Sequence, residues 1–324
     1  MTPPYKISNK TLLLISSISK SIGEIEGRLL KTPEPKLRKQ NKIKTIQATL
    51  EIEGNTLSLD QVTAVLEGKR VFGPEKEILE VKNANELYNQ IESLSFYNYT
   101  DLLSAHLVLM RDLVSSAGSF RSKNVGVLKG SKVSHIAPKP NFVPELVQNL
   151  LNWAKSTDLH DLVKSCVVHY ELEFIHPFED GNGRIGRFWQ SLMLYSYNSL
   201  FRYIPVESLI KENQKSYYKV LELCEKAEES TLFIEFMLKI IDECLIEYVS
   251  QFTSVIMTSV ERLQYFKEYF KEKVFTRKNY LNFYLFNLSF NASFAFSTAL
   301  KSRPNSSTAS FIILGAVITR AIIC

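Results

Sequence analysis

A chain of 324 residues in which 45% are apolar and 23% charged has ordinary globular composition, which excludes a disordered or fibrous protein. That length exceeds one comfortable core and predicts a main domain with something smaller attached. A net charge of +5 suits an anionic ligand and is too weak to argue for nucleic acid.

The start, MTPPYKISNK, lacks the basic residues followed by an apolar run that mark a secretory signal. The apolar stretch Phe311–Thr319 is about half a membrane span and ends at Arg320. A soluble, cytoplasmic protein with no membrane partner is the expectation. Cys166, Cys224, Cys244 and Cys324 form no CxxC pair, so free thiols are expected rather than disulfides or zinc.

Along the chain most segments read as helix, punctuated by Pro33, Pro35 and Gly54, then Gly73–Pro74, then Pro138, Pro140 and Pro144. Thr49 and Glu53 are four apart, on one side of a helix that Gly54 would end. By spacing alone this is an unremarkable amphipathic helix. Val125–Leu128 and Val133–Ile136 flank the turn-like Lys129-Gly130-Ser131 and predict a short β-hairpin. Val163, Cys166, Val167, Tyr170 and Phe174 fall at helical spacing, and Ile185, Trp189, Leu192 and Met193 repeat the pattern after a break. His169 and Glu173, four apart on the first of these helices, lack a third ligand and read as a solvated or packing pair rather than a metal site. His106, His135 and His160 belong to no clear constellation. After Glu272 the chain contains no Asp or Glu, a composition at odds with the mixed charge of a soluble surface. The tail from about Asn282 is therefore not expected to form a stable domain.

The break between the two helices is His176-Pro-Phe-Glu-Asp-Gly-Asn-Gly-Arg184-Ile-Gly-Arg187. A loop that enters a helix near Asn182 or Gly183 presents free backbone N–H groups and partial positive charge, which favour an anion. Gly181 and Gly183 leave room for a phosphate to approach. Arg184 and Arg187 lie three apart and offer planar forks to phosphate oxygens. Asp180 beside such a cradle would repel a polyphosphate unless a cation lay between, a task that suits Mg²⁺. His176 stands at the end of the preceding helix, and an imidazole, whose unperturbed pKa lies near neutrality, suits proton removal. Each piece alone would be a turn or a cap; base, metal ligand, glycine cradle and arginines within twelve residues are far more specific.

His176–Arg187 resembles the Fic family motif, HPFx(D/E)GNGRxxR, at every defined position, and the resemblance extends over roughly Lys36 to Cys244. It implies an all-α bundle with a short β-hairpin flap. Its parts would be an N-terminal helical region at 1–95, a core at 96–245, and a C-terminal region at 246–324 that is an incomplete winged helix or a disordered tail. It implies a protein adenylyltransferase: His176 deprotonates a Tyr, Thr or Ser hydroxyl, which attacks the α-phosphorus of ATP and releases pyrophosphate. Asp180 would hold Mg²⁺ against the α- and β-phosphates. Gly181, Asn182 and Gly183 would bind the α- and β-phosphates, and Arg184 and Arg187 the β- and γ-phosphates. Phe178 would plug into the core. Thr49–Gly54 is similar to the family's inhibitory motif, (S/T)xxxE(G/N), and implies that Glu53 pairs with Arg187. Val133, Ser134, His135 and Ile136 fall where the family has its target-binding flap, and Tyr217 and Tyr218 where a tyrosine pair lies near adenine. The implied partners are ATP, a protein substrate, the chain itself and a second copy in a homodimer. Two other readings use the same residues: removal of AMP or transfer of another phosphate-linked group, and a nucleotide-sensing regulator with a DNA-binding C-terminal region. The intact His176 argues against the regulator, because a sensor needs no base.

Overall fold

A computed structural model describes residues 2–28, 35–129 and 132–253. The expectations for the tail beyond 253, including Cys324 and the possible winged helix, lie outside the described residues. The first five helices are α1 (Asn9–Arg28), α2 (Pro35–Ile52), α3 (Leu59–Leu66), α4 (Glu75–Asn89) and α5 (Tyr99–Met110). A hairpin of β1 (Gly126–Lys129) and β2 (Lys132–Ile136) follows, then α6 (Val143–Ser156), α7 (Asp161–Ile175) and α8 (Asn182–Tyr197). The described chain closes with α9 (Val206–Glu212), α10 (Gln214–Ala227) and α11 (Thr231–Thr253). The predicted all-α bundle with one short hairpin is thus what forms, and residues 1–250 pack as one compact unit containing both the N-terminal region and the predicted core.

Local chemistry explains several boundaries. Ser58 and Gln61 form a capping box that starts α3, each side chain bonding the other's backbone N–H. Asn98 caps α5 by accepting from the Thr100 N–H at 3.0 Å. His160, which carried no role in the sequence reading, caps α7 through Nδ1, 3.2 Å from the Leu162 N–H. Pro35 opens α2, where its missing N–H costs nothing. Gly54, at φ +93°, turns the chain out of α2 in the left-handed region.

The core centres on α7 and α8, which pack against each other; α6 covers α7, and α5 packs on α8. Val163, Cys166, Val167 and Tyr170 of α7 are buried, as are Ile185, Trp189, Leu192 and Met193 of α8, so the predicted faces hold. Phe174 departs from the pattern and is 38% exposed at the end of α7. Cys166, Cys224 and Cys244 are buried free thiols, as expected. Burial pushes the Cys166 thiol up to about 12 and removes it from redox chemistry at neutral pH. The first residues are tied to α11: the Ser230 N–H donates to the Pro4 carbonyl, and Ser8 Oγ donates to Glu235 at 2.6 Å. Among the described residues no helix is long and apolar enough to cross a membrane.

Candidate active site

Of the twelve residues from His176 to Arg187, the first six link α7 to α8 and the last six open α8, with a clasp inside the loop. The Phe178 N–H donates to Asn182 Oδ1 at 2.8 Å, and Asn182 Nδ2 returns a bond to the Phe178 carbonyl at 2.9 Å. The Phe178 ring is fully buried, so the predicted plug is present. Burial of that ring stabilises the loop by about 2–3 kcal/mol. His176 sits just past the last residue of α7 with φ +50° and ψ +60°, a left-handed conformation that a non-glycine side chain adopts only when its surroundings impose it.

Arg121 does the imposing. It is 2% exposed and caps the C-terminal carbonyls of α7: Nε donates to the His176 carbonyl at 2.7 Å and Nη2 to that of Ile175 at 3.3 Å. Its remaining reach, to the Pro138 and Lys123 carbonyls, ties the same guanidinium to the segments on either side of the hairpin. A planar fork of five donors suits this arrangement, and a lysine would not replace it.

His106, given no role from sequence, supports the other side of the loop. It is fully buried and stacks on Phe178 with ring centroids 3.7 Å apart and planes 5° apart. The Gly118 N–H donates to its Nδ1 at 2.9 Å, which makes Nε2 the protonated nitrogen that donates to the Asp180 carbonyl at 3.0 Å. Burial lowers its pKa to about 4. The neutral ring is the form that fits, because a proton on Nδ1 would displace the Gly118 donor. The unfolded histidine titrates near 6.5, so the stabilisation is complete above that pH and is lost as pH falls toward about 4, by about 3 kcal/mol at most. In urea unfolding at pH 7 and pH 4.5, His106→Gln should lose less stability between the two pH values than the natural chain. An equal loss would contradict this role.

The start of α8 is where the sequence predicts an anion cradle. Gly181 precedes it at φ +84°, a conformation that favours glycine, and a Cβ there would also have to displace the Met110 thioether of α5, 2.7 Å away. At Gly183 an added Cβ would collide with Glu53 Oε1, which places the Glu53 carboxylate against the first turn of α8. Glu53 Oε1 accepts from Arg187 Nη2 at 2.7 Å. Arg187 is 1% exposed, and its Nε and Nη2 also donate to Thr49 Oγ1 and the Thr49 carbonyl, both at 3.0 Å. Burial works against the Arg187 charge, and the Glu53 carboxylate overrides it and keeps the guanidinium protonated. Thr49, Glu53 and Arg187 therefore meet as the motif implied, with Glu53 in the turn just beyond the last residue of α2.

Arg184 is also engaged. Its Nη1 meets Glu80 Oε1 at 3.2 Å and its Nη2 meets Asp180 Oδ1 at 3.1 Å. Glu80, on α4, has no motif to announce it; it also accepts from Asn55 Nδ2 at 2.8 Å and so links Arg184 to the turn after Gly54. The Asp180 carboxylate stands 48% exposed at the mouth and accepts from the Gly181 N–H at 2.6 Å. Among the described residues no group of three or more His, Cys, Asp or Glu side chains converges. A single half-exposed carboxylate beside a phosphate cradle fits Mg²⁺, which shares its shell with phosphate oxygens and water.

Other predicted residues are arranged differently. The Asn182 side-chain amide is engaged inside the loop, which leaves its backbone N–H as the group that faces the start of α8. Tyr217 is 1% exposed, with its hydroxyl 3.0 Å from His169 Nε2 inside the core. Tyr218 is 40% exposed and reaches the Ile52 carbonyl at the end of α2. His169 also bonds Gln190 through Nδ1 at 2.7 Å and lies 3.7 Å from Glu173, so the pair belongs to a buried polar network, as its spacing suggested. Residues 133–136 lie on β2, whose backbone pairs antiparallel with β1: Val127 opposes His135, Leu128 opposes Val133, and the register shifts between them.

The fold and the site define a helical protein built around the helix–loop–helix of α7 and α8, and comparison with known proteins identifies its family. The family model described as Fic/DOC matches residues 96–194. A crystal structure of a Fic family protein from Desulfovibrio desulfuricans is 44% identical, with TM-score 0.74, covering 80% of this chain and 79% of that one. The chain belongs to the Fic/DOC family. It is similar to the protein adenylyltransferase Fic of Nematostella vectensis, 26% identical over 72% of this chain and 56% of that protein. It is also similar to the protein adenylyltransferase fic-1 of Caenorhabditis elegans, 31% identical over 49% of this chain and 33% of that protein. The chain thus spans between a third and rather more than half of the length of these curated relatives.

Proposed function

We propose that the protein transfers AMP from ATP to a Tyr, Thr or Ser hydroxyl of a target protein, and of itself, and that Glu53 restrains the reaction. The observation that carries this reading is the placing of His176 at the C-terminal end of α7, one short loop before Arg184 and Arg187 in the first turns of α8. The relatives named as protein adenylyltransferases support the reaction class.

In the reaction, His176 takes the proton from the target hydroxyl as its oxygen bonds to the α-phosphorus. The bond from that phosphorus to the bridging oxygen of the β-phosphate breaks, and pyrophosphate leaves. The N–H groups of the first turn of α8 hold phosphate oxygens, and Arg184 and Arg187 turn from their carboxylates to the outer phosphates. Mg²⁺ held at Asp180 would neutralise phosphate charge. The hairpin would align an extended stretch of the target by strand addition, with Val133–Ile136 as the receiving edge. Tyr218 stands at the end of α2, where adenine would have to pass. Incubation with α-labelled ATP and Mg²⁺ tests the reading: label should appear on protein, and its absence from every protein present would contradict it.

A glutamate that can orient water could also reverse the modification, and Glu53 is the group that would do so. Asp180→Ala should reduce AMP transfer by about 10²-fold and abolish its response to added Mg²⁺, because the protein carboxylate at the phosphates is gone. Labelled-AMP incorporation across a Mg²⁺ titration checks this. A normal metal response in the variant would rule out the assignment.

A further inference from the structure

A cavity of about 410 Å³ lies along α2, one helical turn and more from the Glu53–Arg187 pair. Its cationic wall is Arg38 and Lys42 of α2 and Arg202 of the short turn at Ser199–Tyr203; its floor is Thr45, Ser191 and the buried carboxylate of Glu207. Such a volume suits a small organic ligand. The wall carries more cation than the structure neutralises. Arg38 Nε is buried with no hydrogen-bond partner among the described residues, and the guanidinium lies 5.8 Å over the ring of Tyr203. Among the described residues, the hydrogen-bond partner of Lys42 Nζ is a neutral oxygen, Asn89 Oδ1, at 2.6 Å. Its pKa is lowered by burial and by the charge of Arg202 across the cavity. Arg202 pairs with Glu92 at the rim, and Lys39 pairs with Glu67 outside. Three cations that face one another around a partly enclosed space, one with an orphaned donor, favour an anion between them.

The cavity and the restraining contact are successive layers of one helix interface. Thr45 and Thr49 are four apart on α2, and Ser191 and Arg187 are four apart on α8, so each pair shares a face. The first member of each pair lines the cavity; the second belongs to the Arg187 contact. A polar chain joins the layers. Glu207 Oε1 accepts from Ser191 Oγ at 2.7 Å and from Tyr88 Oη at 3.0 Å, and the Tyr88 hydroxyl lies close to the Thr49 side chain, which accepts from Arg187 Nε.

We propose that this cavity binds a small phosphate monoester, its phosphate held by Arg38, Lys42 and Arg202, and that binding draws α2 onto the core and strengthens the Glu53–Arg187 contact. The phosphate bridges cations on two elements that otherwise repel each other. The part of the ligand beyond the phosphate fills the space over Ile204 and the polar floor. The binding claim stands on the cavity alone; the regulatory claim rests on AMP transfer restrained by Glu53.

The test uses ribose 5-phosphate and inorganic phosphate as probes, measured by calorimetry on the whole chain. Ribose 5-phosphate should bind, and inorganic phosphate should bind about tenfold more weakly, because it leaves most of the volume unfilled. Lys42→Ala and Arg202→Ala should each weaken ribose 5-phosphate binding at least about tenfold, whereas Lys42→Arg should retain it. Arg184→Ala should bind it as the natural chain does, because the phosphate grip at α8 is a different place. Thermal unfolding of each variant shows whether it is folded, and Lys42→Arg keeps the test decisive if an alanine variant is not. No binding, equal affinity for both probes, binding that survives Lys42→Ala and Arg202→Ala, or binding lost in Arg184→Ala each overturns the site. In labelled-ATP assays, saturating ribose 5-phosphate should slow the natural chain about threefold or more and leave Glu53→Gly unchanged. Equal slowing of both, or of neither, overturns the regulatory claim. If neither transfers AMP, the functional reading fails while calorimetry still decides the site.

Discussion

Replacing His176 should lower AMP transfer by about 10²–10⁴-fold while ATP still binds, because general-base catalysis by a positioned side chain contributes about that much. The choice of variant matters here. His176 holds φ +50°, so alanine adds backbone strain to the loss of the base. Asparagine tolerates the left-handed region, keeps a polar group and cannot take the proton at neutral pH. His176→Asn should therefore be as inactive as His176→Ala and unfold at a higher temperature. Labelled-AMP incorporation and ATP binding on both variants decide the matter. Intact turnover in either one would remove His176 from the chemistry.

Glu53→Gly should raise AMP transfer, including self-modification, by about one to two decades, each decade corresponding to about 1.4 kcal/mol. Two contacts argue for a large effect. Glu53 holds Arg187 at 2.7 Å, and its carboxylate lies against Gly183 in the first turn of α8, where phosphate oxygens would have to sit. The substitution frees a guanidinium and removes a negative charge from the cradle. It also leaves the 1% exposed Arg187, among the described residues, with its Thr49 partners alone, so the apoprotein should lose some stability. ATP should restore that loss and raise the unfolding temperature of Glu53→Gly more than that of the natural chain. Adding Arg187→Ala should erase much of the gain in rate, because the freed residue is gone. If Glu53→Gly were no faster than the natural chain with target and Mg²⁺ present, the contact would be structural only.

The site residues that were legible in sequence are those whose spacing carries their geometry. The loop from His176 to Arg187 is contiguous, and helical phase on either side fixes where its ends point. Thr49 and Glu53 were legible only through the family motif: their spacing describes a plain amphipathic helix, and their meaning comes from Arg187, 134 residues away from Glu53. Arg121, His106 and Glu80 left no trace in sequence. Each acts across the tertiary structure on backbone or charge that the loop exposes, and no local period encodes a partner 55, 74 or 104 residues away. The tyrosine pair shows the opposite limit. Neighbours on a helix point in different directions, so Tyr217 enters the core against His169 while Tyr218 stays 40% exposed.

The central claim, that His176 and the helix N-terminus it faces move AMP onto a hydroxyl, is tested most directly in the chain relieved of its restraint. Glu53→Gly and Glu53→Gly/His176→Asn should be incubated side by side with α-labelled ATP and Mg²⁺, and protein-bound label counted. The single variant should label itself strongly, and the double variant should carry label reduced by about 10² or more. Equal labelling of the two, or none in either while ATP binds both, would contradict it.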